Sequence, residues 1–186
     1  NTINENTRML ILNSPSNPTG KVYSVQEYRE IGEVLCEHPK ILIACDDISE
    51  FIYWGDAPYR TFLNACPELE ERTVVINGVS KGYAMTGWRI GYLAGPEDLV
   101  RAMRKVQGQS TSCPGSVSQA AAVAALNGPQ DCVEDMRLAF RERYDFMYEA
   151  LNRLPGVSCP TCDGAFYVFP SFEDFIEDHA DIRDDT

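Results

Sequence analysis

Short apolar runs alternate with helical periodicity through the first half of the chain. Between the first two runs, Ser24 and Glu27 have the spacing of a capping box, and apolar residues then recur every three or four positions. Since strands buried on both faces are almost continuously apolar, this order predicts βαβ units and a mostly parallel sheet. The predicted strands are residues 8–13, 40–45 and 73–77.

The second half begins with one more strand and then turns helical. Residues 89–94 form a fourth apolar run, and only residues 78–88 separate it from the third, which is short for a helical crossover and favours an antiparallel return. Later periodicity predicts two helices near residues 99–106 and 118–126, a long helix from about Pro129 to Leu154, and a last strand. That last strand is expected over residues 164–169.

The predicted fold class is therefore α/β: a mostly parallel sheet with one antiparallel strand and flanking helices, a long bridging helix and the start of a smaller α+β domain. The expected boundaries are residues 1–128, 129–154 and 155–186. A helix as long as the third exceeds what one small domain needs, so we expect it to join two domains.

Composition narrows the possible partners. The chain has 186 residues, 44% hydrophobic and 24% charged, which is typical of a globular protein, and it has no apolar run long enough to cross a bilayer. Its net charge of -12 opposes binding to a phosphate backbone. The acidic residues concentrate in residues 173–186, which we expect to be solvated surface. We therefore expect neither a nucleic acid nor a membrane partner.

The seven cysteines lack the regular spacing of a secreted disulfide framework, which favours reduced thiols and a cytoplasmic protein. Cys159 and Cys162 have CxxC spacing, but no second pair completes a zinc set. Structural cysteines are the favoured interpretation, with a redox pair and a metal site as alternatives, and no metal is expected at the active site.

Polar clusters follow three of the predicted strands, at residues 13–20, 46–50 and 80–89. Each cluster alone has an ordinary explanation: turn formers, a helix cap, an exposed lysine. The carboxyl ends of neighbouring parallel strands meet at one sheet edge, however, which is where open α/β sheets bind their ligands. We therefore expect the three clusters to form one site.

The chemistry of three residues in these clusters is complementary. Lys81 supplies an amine that can form a Schiff base with an aldehyde. Asp46 supplies a carboxylate that can keep a pyridine nitrogen protonated, and Arg89 supplies paired donors for a phosphate. Together they match a cofactor that carries all three groups.

At these residues the sequence resembles a known family. The stretch Asn17 to Gly20 reads NPTG, Asp46 begins DDI, Ser80-Lys81 follows, and residues 85–92 read MTGWRIGY. The pattern is similar to class I/II pyridoxal-phosphate aminotransferases of fold type I, closest to the bacterial aspartate aminotransferase group. The likeness covers essentially the whole chain and makes residues 1–128 the central part of the large, cofactor-binding domain.

The resemblance implies a role for each site residue. Lys81 would be linked to pyridoxal 5′-phosphate and would carry the proton between substrate and cofactor. Asp46 would pair with the ring nitrogen, and Asn17 would contact the ring hydroxyl and the substrate carboxylate. Arg89 would bind the phosphate, with Ser80 as a further phosphate contact. The resemblance also implies a cis Asn17–Pro18 peptide.

Two residues depart from the family pattern, and several of the family's elements have no counterpart in this sequence. Ser49 stands where a tyrosine usually contacts the ring hydroxyl, and Gly78 stands where some relatives have a serine donor to the phosphate. Trp88 is expected to pack beneath its turn and orient Arg89. The upstream phosphate loop, the ring-stacking aromatic and the downstream carboxylate-binding arginine have no counterparts here, so we expect the sequence to be the central portion of a longer enzyme.

The leading hypothesis is an enzyme that exchanges an amino group between an amino acid, aspartate or glutamate by default, and a 2-oxo acid in a ping-pong reaction. A homodimer is the expected assembly. Two alternatives remain: another reaction of the same cofactor, such as β-elimination from a cysteine conjugate, and an aminotransferase-like ligand-sensing domain of a regulator.

Overall fold

A computed structural model describes residues 2–177 of the chain. Its centre is one four-stranded sheet in the order β1-β2-β3-β4, with β1, β2 and β3 parallel and β4 antiparallel to β3. The predicted sheet, including the antiparallel return, is confirmed. The strands are β1 Met9–Asn13, β2 Leu42–Asp46, β3 Thr73–Gly78 and β4 Gly91–Ala94.

Helices connect and follow the strands. The predicted capping box forms at the start of α1, where Ser24 Oγ accepts from the Glu27 amide and the Glu27 carboxylate accepts from the Ser24 amide. The long helix α5 has 22 residues, or roughly 33 Å at 1.5 Å per residue. The helices are α1 Val25–Cys36, α2 Phe62–Ala65, α3 Glu97–Ser110, α4 Ser116–Asn127, α5 Asp131–Asn152 and α6 Glu173–Glu177.

The main core lies between one face of the sheet and the two helices α1 and α2. Leu12, Ile43 and Cys45 project from the strands and pack against side chains that include Tyr28 and Phe62. Side chains alternate between the faces of a sheet, so the neighbours of Leu12 along β1 point the other way. This packing covers one face of β1 and β2, and the parallel pairing of β1, β2 and β3 brings their carboxyl ends to one edge.

The predicted strand over residues 164–169 does not form. Gly164 makes a single antiparallel bridge with Tyr53, and Ala165 then turns the chain with a positive φ of 59°. An apolar run therefore belongs here to a turn, in which Ala165 is buried while Phe166 and Phe169 stay exposed. Of the acidic stretch over residues 173–186, residues 178–186 lie outside the described part of the chain.

Candidate active site

The three polar clusters lie at one edge of the sheet, as expected. Asn13, the last residue of β1, is in register with Asp46, the last residue of β2, and Asp46 is in register with Ile76 near the end of β3. The loop after β1, the turn after β2 and the segment that leads from β3 to β4 therefore start side by side. Within the described residues, no ion pair joins Asp46 to either Lys81 or Arg89.

Asn13 ties the first two clusters together. Its Nδ2 donates to the Asp46 carbonyl oxygen at 3.0 Å, and its Oδ1 accepts from the Asn17 amide at 2.6 Å. No motif in the sequence gives Asn13 a role, although its place at the end of a predicted strand, before a turn-rich loop, was a signal. The predicted cis Asn17–Pro18 peptide is present, and Ser14–Pro15 is cis as well. Asn17 itself is exposed at the edge.

Two aspartates end β2 in different surroundings. Asp46 is partly exposed, and its Oδ1 accepts from the Ile48 amide at 3.4 Å. Asp47 is buried, and burial, with the nearby carboxyls of Glu50 and Asp46, raises its pKa to about 7. Glu50 accepts from Asn77 Nδ2 at 2.6 Å, which fastens the end of β2 to the end of β3.

Lys81 follows the buried end of β3 in a tightly packed turn. Gly82 lies so close to Phe51 that a Cβ there would be 2.5 Å from Phe51 Cδ2, which explains the glycine. Lys81 Nζ lies 5.1 Å from the centre of the Phe166 ring, within the range of a cation–π contact. The residue that contacts the lysine is 85 positions away in sequence, and no local pattern links the two. Ser80, beside Lys81, is partly buried.

Arg89 begins the return to the sheet with left-handed backbone geometry, at a φ of 54°. It caps the short 3-10 turn Thr86–Trp88, and its Nη1 donates to the Thr86 carbonyl oxygen at 2.7 Å. Trp88 is 44% exposed, so the prediction that it packs beneath the turn is wrong for the described structure. The guanidinium is oriented by the carbonyl of its own turn instead.

A distant segment, residues 162–166, closes over this edge. The amides of Asp163 and Gly164 donate to the Gly20 carbonyl oxygen at 3.3 and 3.2 Å, and the Ala165 amide donates to the Ile52 carbonyl oxygen at 2.7 Å. Gly20 has a φ of 67°, and a Cβ there would lie 2.8 Å from Cys162. The segment thus contacts the loop that carries Asn17 and also brings Phe166 to Lys81.

The two cysteines of the CxxC pair are buried free thiols. Burial raises the pKa of the Cys162 thiol, and the Cys162 amide donates to the Tyr144 hydroxyl at 2.9 Å. Asn152 exchanges two hydrogen bonds with the Cys159 backbone. These contacts are those of cysteines that pack in the interior of the protein. In the part of the chain that the structure describes, no group of three potential ligands is arranged to hold a metal ion.

The two departures from the family pattern have different local settings. Ser49 is buried in the turn that follows β2. Gly78 faces Gly91 across the β3–β4 pair, and a Cβ at Gly78 would lie 2.9 Å from the Ile90 carbonyl oxygen. The tight pairing of the two strands, rather than any ligand, thus accounts for the glycine.

The donor set at this edge fits the cofactor that the resemblance implies. An amine, a carboxylate, a guanidinium, a hydroxyl and an amide match the cofactor's aldehyde, ring nitrogen, phosphate and ring oxygen. They belong to Lys81, Asp46, Arg89, Ser80 and Asn17. Four of these lie at or beyond the carboxyl end of a parallel strand, and Arg89 lies just before the antiparallel strand β4.

Comparisons with known proteins show what the chain is similar to. The aspartate/prephenate aminotransferase of Nitrosomonas europaea is 54% identical over 167 residues, which are 90% of this chain and 42% of that protein. The aspartate aminotransferase of Geobacillus stearothermophilus is 47% identical, over 91% of this chain and 43% of its own. The chain thus spans about two fifths of the length of these curated relatives.

Solved structures of aminotransferases have a fold similar to that of this chain. The crystal structure of aspartate aminotransferase from Rhizobium meliloti matches with a TM-score of 0.90 and 47% identity, over 92% of this chain and 43% of that one. An aromatic aminotransferase from Pyrococcus horikoshii matches with a TM-score of 0.85 and 35% identity, over 91% and 45%.

The family itself follows from a match that covers nearly the whole chain. The family model described as aminotransferase class I and II matches residues 1–179, and aminotransferases of these classes depend on pyridoxal 5′-phosphate. In the described residues, no helix has the length and apolar character needed to span a bilayer. The chain belongs to the class I and II aminotransferase family.

Proposed function

We propose that this chain carries the central part of a pyridoxal-phosphate-dependent aminotransferase that moves the amino group of aspartate or glutamate to a 2-oxo acid. What supports the proposal is the placement of three residues at one edge of the sheet: Asp46 ends β2, Lys81 follows β3 and Arg89 precedes the antiparallel β4. The names of similar proteins, aspartate and aspartate/prephenate aminotransferases, support the acidic substrate.

Bound at this edge, the cofactor supplies a ring that accepts electrons released from the substrate's α-carbon. Lys81 would hold the cofactor's aldehyde carbon covalently and, once the amino substrate displaces it, would carry the proton from the substrate α-carbon to that former aldehyde carbon. Asp46 presents a carboxylate to the ring nitrogen. Arg89 and Ser80 hold the phosphate oxygens, and the Asn17 amide donates to the ring oxygen.

The exchange runs in two halves at this one site. The first substrate leaves its amino group behind and departs as a 2-oxo acid before the acceptor enters. We also propose that residues 1–128 belong to the cofactor-binding domain, residues 129–154 to the bridging helix and residues 155–186 to a smaller domain, and that the enzyme acts as a homodimer on amino acid and 2-oxo acid substrates.

The sharpest test replaces the lysine. In the full chain, Lys81→Ala is expected to abolish the absorbance of the lysine-linked cofactor and to lower transamination by about 10²- to 10⁴-fold, since it removes both the covalent anchor and the proton carrier. The matched control is Lys105→Ala on α3, an exposed lysine outside the site.

Borohydride reduction followed by peptide mapping identifies the linked lysine directly. A reducible cofactor adduct that persists in Lys81→Ala contradicts the assignment of this residue. Release of ammonia and a 2-oxo acid without an acceptor, by the wild-type chain, contradicts the transamination and indicates elimination instead.

A further inference from the structure

Asp47 is a buried acid to which the proposed reaction assigns no task. Only 2% of its surface is exposed, and its Oδ2 has no hydrogen-bond partner among the described residues. Its backbone is fixed from both sides, because its amide donates to the Ile76 carbonyl oxygen and its own carbonyl accepts from the Glu50 amide, both at 2.9 Å. The carboxyl group therefore stays in this dry position.

The titratable groups that face Asp47 are all acids. Cys45, Asp46 and Glu50 come from its own strand and the turn after it, while Tyr28 comes from α1 and Tyr59 from the loop before α2. The Tyr59 hydroxyl is already engaged, because it donates to the Ser14 carbonyl oxygen at 2.7 Å. Among the described residues, no lysine, arginine or histidine forms an ion pair with Asp47.

Such surroundings favour the neutral form of the group. Burying an ionised carboxylate without a partner costs far more free energy than burying a carboxylic acid. Burial, and then the carboxyls of Glu50 and Asp46, accordingly raise the pKa of Asp47 to about 7. The surroundings of Asp46 are different from those of Asp47. Asp46 is partly exposed, and its carboxyl group accepts a hydrogen bond from the Ile48 amide.

We propose that Asp47 is a positioning residue held as the neutral acid, so that Asp46 is the only carboxylate at this point that faces the cofactor's ring nitrogen. The assignment rests on the proposed function for the role of Asp46. It gives two adjacent carboxyl groups two different roles set by their environments. When the pH rises through neutrality, Asp47 releases its proton to solvent and a second negative charge develops behind Asp46.

The test is the pH dependence of unfolding, measured by urea denaturation of the full chain without cofactor. A raised folded-state pKa means that the native state keeps the proton while the unfolded state loses it. Wild-type stability is therefore expected to fall as the pH rises from about 4 to about 7. Asp47→Asn, which resembles the neutral acid at every pH, is expected to remove this component of the decline.

The matched control is Asp98→Asn, an exposed aspartate in the first turn of α3, which is expected to keep the wild-type pH profile. Parallel pH profiles for wild type and Asp47→Asn overturn the proposal. So does a loss of stability in Asp47→Asn that grows as the pH rises, because that pattern means that the native state needs the charge.

A second measurement needs no substitution. With aspartate labelled by ¹³C at its carboxyl carbon, infrared absorption of the wild-type chain at pH 6 is expected to show a protonated acid band, and its absence overturns the proposal. If Asp47 is neutral but the chain binds no cofactor, the assignment of Asp47 as a buried neutral acid is kept. The proposed function is then contradicted instead. With cofactor, Asp47→Asn is expected to remove one pH-dependent step from the cofactor absorbance.

Discussion

Two residues at this sheet edge, Asn13 and Lys81, have contacts with partners distant in sequence. Asn13 connects the loop of Asn17 to Asp46, and Phe166 lies against Lys81. The contact between the Phe166 ring and the lysine is electrostatic as well as apolar, because the face of an aromatic ring is negative. Phe166 therefore restrains the amine that the proposed reaction uses.

Replacing this ring tests the contact. Without cofactor, Phe166→Leu is expected to raise the rate at which an acylating reagent modifies Lys81 by about 2- to 5-fold, the equivalent of the roughly 0.5 to 1 kcal/mol of an exposed cation–π pair. Phe166→Tyr keeps the ring face and is expected to react like wild type. Mass spectrometry of the digested protein measures the modification, with the peptide that contains Lys105 as internal reference.

Equal rates at Lys81 in wild type and Phe166→Leu contradict the restraint. An equal rise at Lys81 and Lys105 indicates a general loosening of the fold rather than the loss of this one contact.

At the scale of elements, the pairing of β3 with β4 limits which side chain can stand at position 78. Gly78 and Gly91 face each other, and the backbone of Ile90 occupies the place of a side chain at Gly78. A serine donor to the phosphate at this position therefore requires the two strands to move apart. The glycine at position 78 is a consequence of strand pairing. The absence of a serine donor to the phosphate at this position follows from that pairing.

This constraint has a direct test. Gly78→Ser is expected to destabilise the chain by about 1 to 3 kcal/mol, the usual cost of overpacking, because the Cβ would lie 2.9 Å from the Ile90 carbonyl oxygen. Gly108→Ser is the matched control, since nothing lies within 4 Å of a Cβ at that position of α3. Urea denaturation with far-ultraviolet circular dichroism measures both.

A Gly78→Ser chain as stable as wild type, or a control that loses equal stability, contradicts this account of the glycine. A more stable Gly78→Ser chain indicates that β4 pairs with β3 more loosely than the structure has it.

Some elements predicted from sequence are confirmed by the structure and one is not. The four sheet strands and the capping box of α1 follow from local apolar runs and local hydrogen-bonding residues, so both were predictable. The run at 164–169 has the same local character, yet it forms a turn, because Ala165 adopts a positive φ and Gly164 finds only Tyr53 as a bridge partner. A strand needs a neighbour, and a local pattern carries no information about one.

At the scale of the described chain as a whole, one face of the sheet is well covered. Leu12 of β1 is 5% exposed against α1 and α2, whereas Ile11, beside it on the opposite face, is 67% exposed. The apolar contribution of the two residues to folding is therefore unequal, although both belong to the same apolar run.

Paired substitutions measure this asymmetry in the 186-residue chain. Leu12→Ala is expected to cost about 2 to 5 kcal/mol, as buried leucines do. Ile11→Ala is expected to cost much less, because its side chain is already in water in this chain. Both free energies of unfolding come from urea titration, and equal losses at the two positions contradict the one-sided core.

The sequence by itself determined the alternation of strands and helices, the antiparallel return, the cis Asn17–Pro18 peptide through the family likeness, and which residues meet at the sheet edge. These features depend on local pattern and on the order of segments along the chain. Only the tertiary structure decided that Asp47 is buried without a partner, that Phe166 reaches Lys81, and that Gly78 faces Gly91. Burial and contacts between distant segments arise when elements pack, and packing is a property of the whole fold.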